Sequence, residues 1–569
     1  MAKTVNVAFG GEAGQGLATV GELLSRCLVR SGYSIVATQS YQSRIRGGHN
    51  SFAIRAGTET VTAPQESVDI LVAFDADTLS IHKSELTASS LILVDEVLKK
   101  DDGKLIGIPY KELAPSSFIN ITALGIVGFL LGLDKDLLQK TVADQFKSKD
   151  AELAKSNQDA VEKAYAWAAG ADLPKTRKLA APAAKPTPKL TMTGNDAIML
   201  GALSVGVKFC SFYPMTPTTS IPQDLAKHAA EMNIVVEQAE DEISAINMAL
   251  GASFAGAPAM VTTSGGGFAL MVEGLSLAGM TETPIVIVLG QRPGPATGLP
   301  TRTEQADLNF VLHAGHGEFP RAIFAPGTPE ECFYLTRKAF HLAERYQSPV
   351  FILTDQFLAD SFRDVTPFDV TNLLAMAPGA ESVVTAKPYQ RFAITESGVS
   401  PRLLPGLSGN LVVADSDEHT EDGHITEDLT VRKQMVKKRL RKYEGLKSAV
   451  IPPEIQGQAE PELMLVCWGS SKGAVQEAAQ HLNAKGVKTS TMHFRQVWPL
   501  MPRHFIGYMV EAKKVVCVES NATGQFAGII RQQTGFYIDS KITRYDGLPI
   551  TPEYIVKKLQ KMEKGGLGW

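Results

Sequence analysis

Short apolar runs, each entering a glycine- or proline-bearing turn and then a helical stretch, recur along this chain. Val5-Asn6-Val7-Ala8-Phe9 passes through Gly10 to Gly16 into a helical pattern over 17–31. Ala259 to Thr262 passes through Thr263-Ser264-Gly265-Gly266-Gly267, and Ile285 to Leu289 through Gly290-Gln291-Arg292-Pro293. Runs this short and this apolar are buried on both faces, which a sheet achieves when helices return across it. The alternation therefore predicts an α/β chain with parallel sheets. Its 569 residues, 44% of them hydrophobic, are enough for several such layers.

Two breaks divide the pattern. The stretch 172–190 is rich in Pro, Ala and Lys without apolar periodicity and reads as a semi-rigid linker. The stretch 385–455 is less regular, with an acidic loop at 415–424 followed by a basic helix at 432–441, read as facing solvent. The expected division is 1–171, linker 172–190, 191–384, a connecting segment 385–455, and 456–569.

A net charge of −4 supplies no global field for nucleic acid or an anionic membrane. The first residues read as a strand rather than a secretory signal, and the apolar run 121–133 is short of the roughly 20 residues a bilayer requires, so a cytoplasmic protein is expected. The 5 cysteines stand singly, which argues for buried thiols and against a disulfide framework or an iron–sulfur cluster held by this chain alone.

The residues capable of chemistry gather between 211 and 308. Tyr213-Pro214-Met215-Thr216-Pro217 makes a stiff turn after a strand, with Thr216 free to meet a ligand or its neighbours to cap a helix. Glu242 opens a helix whose next turns are small and apolar; it either complements the helix dipole or faces an interior where desolvation raises its pKa. Gly265 and Gly266 admit a ligand close to backbone, or only a tight turn. Arg292 and Arg302 either pair with carboxylates or sit on the surface. Near the start, Gly11, Gly14 and Gly16 precede a helix, where free N–H groups cradle an anion or merely close a turn. Arg44 and Arg46 follow the second strand as a polyanion contact or a solvated loop. A metal at the 415–424 loop is weighed against an ordinary turn.

Taken together these motifs resemble one family. Tyr-Pro-x-Thr-Pro, the acidic helix start, the glycine turn and Gly-Gln-Arg-Pro are similar to the α subunit of 2-oxoacid:ferredoxin oxidoreductases, which use thiamine diphosphate. The loop 10–16 with Arg-Ile-Arg-Gly-Gly resembles that family's γ domain, here fused in front. The resemblance implies a γ domain, a pyrimidine-binding domain for thiamine diphosphate and a transketolase C-terminal-like domain, the chain being most like the 2-oxoglutarate enzymes.

By that resemblance Thr216 contacts the 2-oxoacid and Arg292 its carboxylate, while a second carboxylate would need a further cation, Arg302 or a residue of the partner. Tyr213, Pro214, Glu242, Gly265 and Gly266 line the pyrimidine side of the cofactor, and Glu242 shares a proton with the aminopyrimidine ring. Gly11, Gly14, Gly16 and Arg46 help bind coenzyme A, although Glu12-Ala13 departs from the family's usual loop and adds a negative charge there.

The chain lacks a Gly-Asp-Gly with paired asparagines and lacks a cysteine cluster. Mg2+, the diphosphate grip and a [4Fe-4S] cluster are therefore expected on a β subunit, with ferredoxin as acceptor and a heterotetramer of two α and two β chains. The implied reaction is CoA-dependent oxidative decarboxylation of 2-oxoglutarate to succinyl-CoA, reversible as in the reductive TCA cycle. Pyruvate or a broad 2-oxoacid range is the alternative substrate, and a non-oxidative thiamine enzyme or a silent scaffold the alternative class.

Overall fold

The computed structural model describes residues 1–42, 48–99, 104–146, 151–174, 177–182, 187–373, 389–407 and 409–565. Arg44 and Arg46 lie outside the described residues. The chain folds into two compact units: residues 1–193 with 360–367 and 551–554, and the remainder.

The first unit is built on an eight-stranded sheet. Its order is Leu105–Ile108, Leu86–Asp95, Val68–Ala73, Thr4–Glu12, His49–Gly57, Ser34–Ser40, Phe362–Val365, Leu190–Met192. The sheet is mixed, which corrects the parallel sheet expected for this region. His49–Gly57 runs antiparallel between Thr4–Glu12 and Ser34–Ser40, so the strands on either side of the first helix are not neighbours. The helix Leu17–Arg30 packs its apolar face on this sheet closely enough that a Cβ on Gly21 would meet Phe52 Cδ1 at 2.2 Å. Gly10 and Gly11 belong to the first strand, leaving only 13–16 as the turn.

The expected linker is not free. Leu173 and Leu179 are buried in the first core, Arg177 pairs with Asp69 at 2.8 Å, and Tyr33 donates to the Ala180 carbonyl at 3.1 Å. The Leu190–Met192 strand then joins the sheet edge. Apolar residues spaced too widely to show a period still anchor this segment.

In the second unit a seven-stranded sheet runs Gln496–Trp498, Ala322–Phe324, Pro349–Asp355, Ile285–Gln291, Ala259–Thr263, Phe209–Phe212, Val235–Gln238. All but the Gln496–Trp498 edge strand are parallel. A five-stranded sheet holds Leu463–Trp468 and Lys514–Glu519 at its centre. One apolar core runs through both sheets, joining Phe268, Ile287 and Phe351 to Val466, Trp468 and Phe526. The segments expected as separate domains from 191 onward thus share one interior.

The basic helix, Leu429–Ser448, buries one face through Lys438, Arg439 and Lys442, while Arg432, Lys433, Lys437 and Arg441 stay exposed as expected. Lys438 donates to Glu282 Oε1 at 2.6 Å, Lys442 closes on the other oxygen, and Arg391 donates to the Glu282 carbonyl at 2.9 Å. Burial pushes the Glu282 carboxyl up, but Lys442, Lys438 and Arg391 together hold it at about 2. From the acidic loop, Glu418 takes two bonds from Arg439, at 2.9 and 2.8 Å, and one from Arg432. His419 lies buried against Phe392, ring centroids 3.9 Å apart. The loop and helix that read as separate charged surfaces neutralise one another.

Candidate active site

The strands of the second unit's main sheet end together, because Gln291 is in register with Asp355 and Thr262 with Phe212. Ligands of open parallel sheets bind outside these carboxyl ends. Each motif read from the central sequence leaves the sheet at this edge: Tyr213 to Pro217, Glu242, Ser264 to Gly267, and Arg292.

Glu242 is the first residue of the helix Glu242–Phe254, and its cap is the preceding Asp241, whose carboxylate accepts from the Ser244 N–H at 2.7 Å. Those backbone bonds hold Asp241 below the usual carboxylate range. Capping is therefore complete without Glu242. Its side chain turns inward, 4% exposed, and among the described residues its carboxylate makes no hydrogen bond. Its oxygens, without a protein partner, still reach the surface, so they are open to a ligand or to water.

The glycine helix, Gly265–Met280, explains how the acid fits. A Cβ on Gly267 would sit 2.6 Å from Glu242 Oε1 and 2.2 Å from Thr263 Oγ1. A Cβ on Gly265 would meet Asp307 Oδ2 at 2.5 Å, whereas at Gly266 the nearest neighbour is the Ala296 carbonyl at 3.6 Å. Gly265 and Gly267 are thus small because acids occupy their side-chain space, and Gly266 faces an opening.

Arg292 follows the strand Ile285–Gln291 and is 9% exposed. Its Nη1 donates to the Thr216 carbonyl at 2.8 Å, which joins two residues that the sequence proposed separately. The Thr216 hydroxyl makes no hydrogen bond among the described residues. The neighbouring Thr218 donates to the Met215 and Thr263 carbonyls and fixes the turn, rather than capping the following helix. Asn195 ties the same turn down through the Pro217 carbonyl at 2.8 Å. Tyr213 and Pro214 lie exposed at its tip. Arg302 lies farther along the loop, its Cβ 3.1 Å from where a side chain on Gly547 would begin.

Sequence reasoning missed two acids, Glu304 and Asp307. Burial pushes Asp307 up to about 6, with Arg292 pulling it down. Burial and then Asp307 push Glu304 up to about 7. Arg292 in turn is lowered by burial and raised by Asp307. Their spacing behind Gly-Gln-Arg-Pro was the available signal, and only the fold reveals that the loop returns over Gly265.

Elsewhere, Glu331, Glu454 and His493 come close enough to hold a metal ion. The cation present there is Lys472, whose Nζ lies 2.7 Å from Glu331 and 2.8 Å from Glu454. Burial pushes His493 down to about 4. All 5 cysteines are buried and free. Among the described residues no helix is long and apolar enough to cross a membrane.

An acid without a protein partner, a glycine opening and an arginine thus gather at one edge of a parallel sheet. The model for pyruvate flavodoxin/ferredoxin oxidoreductases, thiamine diphosphate-binding, matches residues 200–438, and that for pyruvate ferredoxin/flavodoxin oxidoreductases matches 6–167. A 2-oxoacid:ferredoxin oxidoreductase subunit alpha from Sulfolobus sp is 31% identical over 98% of this chain and 97% of its own. The 2-oxoglutarate oxidoreductase subunit KorA of Mycobacterium tuberculosis is 27% identical over 99% and 92%. A structure of 2-oxoglutarate:ferredoxin oxidoreductase from Magnetococcus marinus, with 2-oxoglutarate, coenzyme A and succinyl-CoA bound, has a TM-score of 0.92 at 30% identity, covering 99% of this chain and 100% of that one.

This chain belongs to the family of 2-oxoacid:ferredoxin oxidoreductase α subunits.

Proposed function

We propose that the chain is the fused γα subunit of an enzyme that oxidatively decarboxylates 2-oxoglutarate with coenzyme A, giving succinyl-CoA, CO2 and two reduced ferredoxins. The observation that carries this reading is Glu242, a buried residue beside Gly267 whose carboxylate has no hydrogen-bond partner among the described residues. The substrate choice draws on the ligand-bound Magnetococcus structure and the relatives named KorA. The Sulfolobus relatives are named for 2-oxoacids generally, so pyruvate or a broad range is the second reading.

Glu242 would hold the pyrimidine side of thiamine diphosphate, with Tyr213, Pro214, Gly265 and Gly266 bounding the opening. When bound, that cofactor supplies a carbon centre able to add to an oxo group and carry the electrons left by decarboxylation. With the cofactor in place, Glu242 would be the group able to share a proton with a nitrogen of its ring. Arg292, held by the Thr216 carbonyl, takes the substrate carboxylate, and the Thr216 hydroxyl is left to donate to the substrate oxygen. Arg302 is the cation proposed for a second carboxylate.

A β subunit carrying Mg2+, the diphosphate site and a [4Fe-4S] cluster completes the pocket, with ferredoxin as acceptor and two copies of each chain assembled together. The relatives' naming as subunits supports a partner, as do the exposed apolar side chains Tyr213, Ile243, Met248 and Leu270 on the turn and on the two helices carrying Glu242 and the glycines. In the first unit, the N–H groups that open the Leu17–Arg30 helix, entered through Gly14 and Gly16 at positive φ, are the proposed coenzyme A contact.

An anaerobic assay with a panel of 2-oxoacids tests the reading. CoA-dependent viologen reduction fastest with 2-oxoglutarate is expected. Product formation without dye reduction would overturn the oxidoreductase assignment, and preference for pyruvate would overturn the substrate.

A further inference from the structure

The loop that follows Arg292 returns to it. The Asp307 N–H donates to Gln291 Oε1 at 3.0 Å, so Asp307 is fastened to the residue beside the arginine. Its carboxylate lies over Gly265, where a Cβ would come within 2.5 Å of Oδ2 and 2.7 Å of Oδ1. Gly265 opens a sixteen-residue helix, whose positive end therefore faces this acid. Among the described residues the Asp307 carboxylate accepts no hydrogen bond, and the hydrogen bond made by the Arg292 guanidinium goes to the Thr216 carbonyl.

The backbone that carries the acid is held. Between Glu304 and Asp307, the Gln305 N–H donates to the Ser520 carbonyl at 2.6 Å, its Oε1 accepts from the Ser520 N–H at 3.0 Å, and its Nε2 donates to the Trp468 carbonyl at 3.1 Å. The loop is pinned on both sides, so its negative charge is a fixed part of the site.

A helix N-terminus and an arginine are the two groups that would receive an incoming carboxylate. Here a carboxylate of the chain already lies against the helix N-terminus, and its own N–H is tied to Gln291, the residue next to Arg292, without closing an ion pair with the guanidinium. We propose that Asp307 is a positioning residue for substrate selection: a built-in carboxylate that competes with the 2-oxoacid for the charge of Arg292 and thereby sets how tightly an anionic substrate binds. The inference rests on the reading of Arg292 as the substrate-carboxylate group. On binding, the guanidinium turns its remaining N–H groups toward the incoming carboxylate while its bond to Thr216 keeps it in place. Asp307 takes no part in making or breaking a bond.

The test uses the reconstituted enzyme with its partner subunit and the neutral, isosteric variant Asp307→Asn. KM for 2-oxoglutarate and for pyruvate, KM for coenzyme A, kcat and inhibition by propionate are read in viologen reduction. The expected result is a three- to tenfold lower KM for the 2-oxoacids and a matching fall in the propionate inhibition constant, with kcat within twofold and KM for coenzyme A unchanged. Asp307→Glu, which restores the charge, should bring KM back toward wild type. A purely packing role would lower kcat and thermal midpoint together and leave propionate inhibition unmoved; that result, or an unchanged 2-oxoacid KM, overturns the proposal. If Asp307→Asn does not assemble, the smaller neutral Asp307→Ser must show the same fall in KM. The two readings fail separately. A wild-type complex whose 2-oxoacid KM is indifferent to Arg292→Lys removes the functional reading and this one with it. An Arg292-dependent KM that ignores Asp307 removes this one alone.

Discussion

Substituting Gly267 by alanine is the sharpest local perturbation of the site that leaves every proposed functional side chain in the sequence. The added Cβ would stand 2.2 Å from Thr263 Oγ1, 2.6 Å from Glu242 Oε1 and 3.0 Å from Glu242 Cγ. Thr263 ends a central strand and Phe268, next along the helix, is fully buried, so neither backbone can retreat. The Glu242 carboxylate must move, by roughly 1 Å to regain an ordinary contact of about 3.5 Å. Overpacking of this kind costs about 1–3 kcal/mol of stability, and a misplacement near 1 Å costs on the order of 100-fold in rate. Anaerobic viologen reduction by the reconstituted complex should therefore fall about two decades while the chain still assembles and melts cooperatively. Gly528→Ala is the control: it lies within the helix Gln525–Thr534, where a Cβ meets nothing within 4 Å, so activity and melting should be unchanged or slightly improved. Activity of Gly267→Ala within twofold of wild type would refute the claim that glycine is required here to seat the acid.

Three further outcomes follow from the same geometry. Arg292→Lys keeps the charge but loses the planar fork held by Thr216, and kcat/KM for the 2-oxoacid should fall about 10- to 100-fold, as for loss of a charge-assisted bond. Glu282→Gln leaves Lys438, Lys442 and Arg391 crowded without their carboxylate and should cost about 3–5 kcal/mol, read as a lower denaturation midpoint with the active-site residues untouched. Because the folded Glu282 and Glu418 carboxyls are held at about 2, below their unfolded values, their stabilisation is present above about pH 4.5 and is lost as pH falls toward 2. An acid titration followed by circular dichroism should show that window in the wild type and a shallower loss in Glu282→Gln.

The α/β alternation was legible because buried parallel strands are short, continuous and apolar. The mixed order of the first sheet was hidden by its turn. After Arg-Gly-Gly the chain alternates, with Phe52, Ile54 and Ala56 buried, but the polar residues 49–51 at its start disguise a strand as loop. The basic helix misled for another reason: Lys438 and Lys442 are charges that only a carboxylate from a distant turn, Glu282, can admit to the interior. Local sequence does not record that pairing. At the site, Asp241 and Glu242 look interchangeable as helix-start acids, and only the fold separates the half-buried cap from the buried acid. Glu304 and Asp307 escaped notice because their importance lies in the return of a loop over Gly265, a three-dimensional fact with no sequence period.

The central claim is that Glu242 is held without a partner so that it can share a proton with a ring nitrogen supplied by a bound cofactor. Glu242→Gln preserves shape and burial while removing the titrating oxygen. Its turnover with 2-oxoglutarate and coenzyme A, measured by viologen reduction in the reconstituted complex, should fall by at least about 100-fold, the lower range for acid–base groups. Turnover within twofold of wild type would contradict the account.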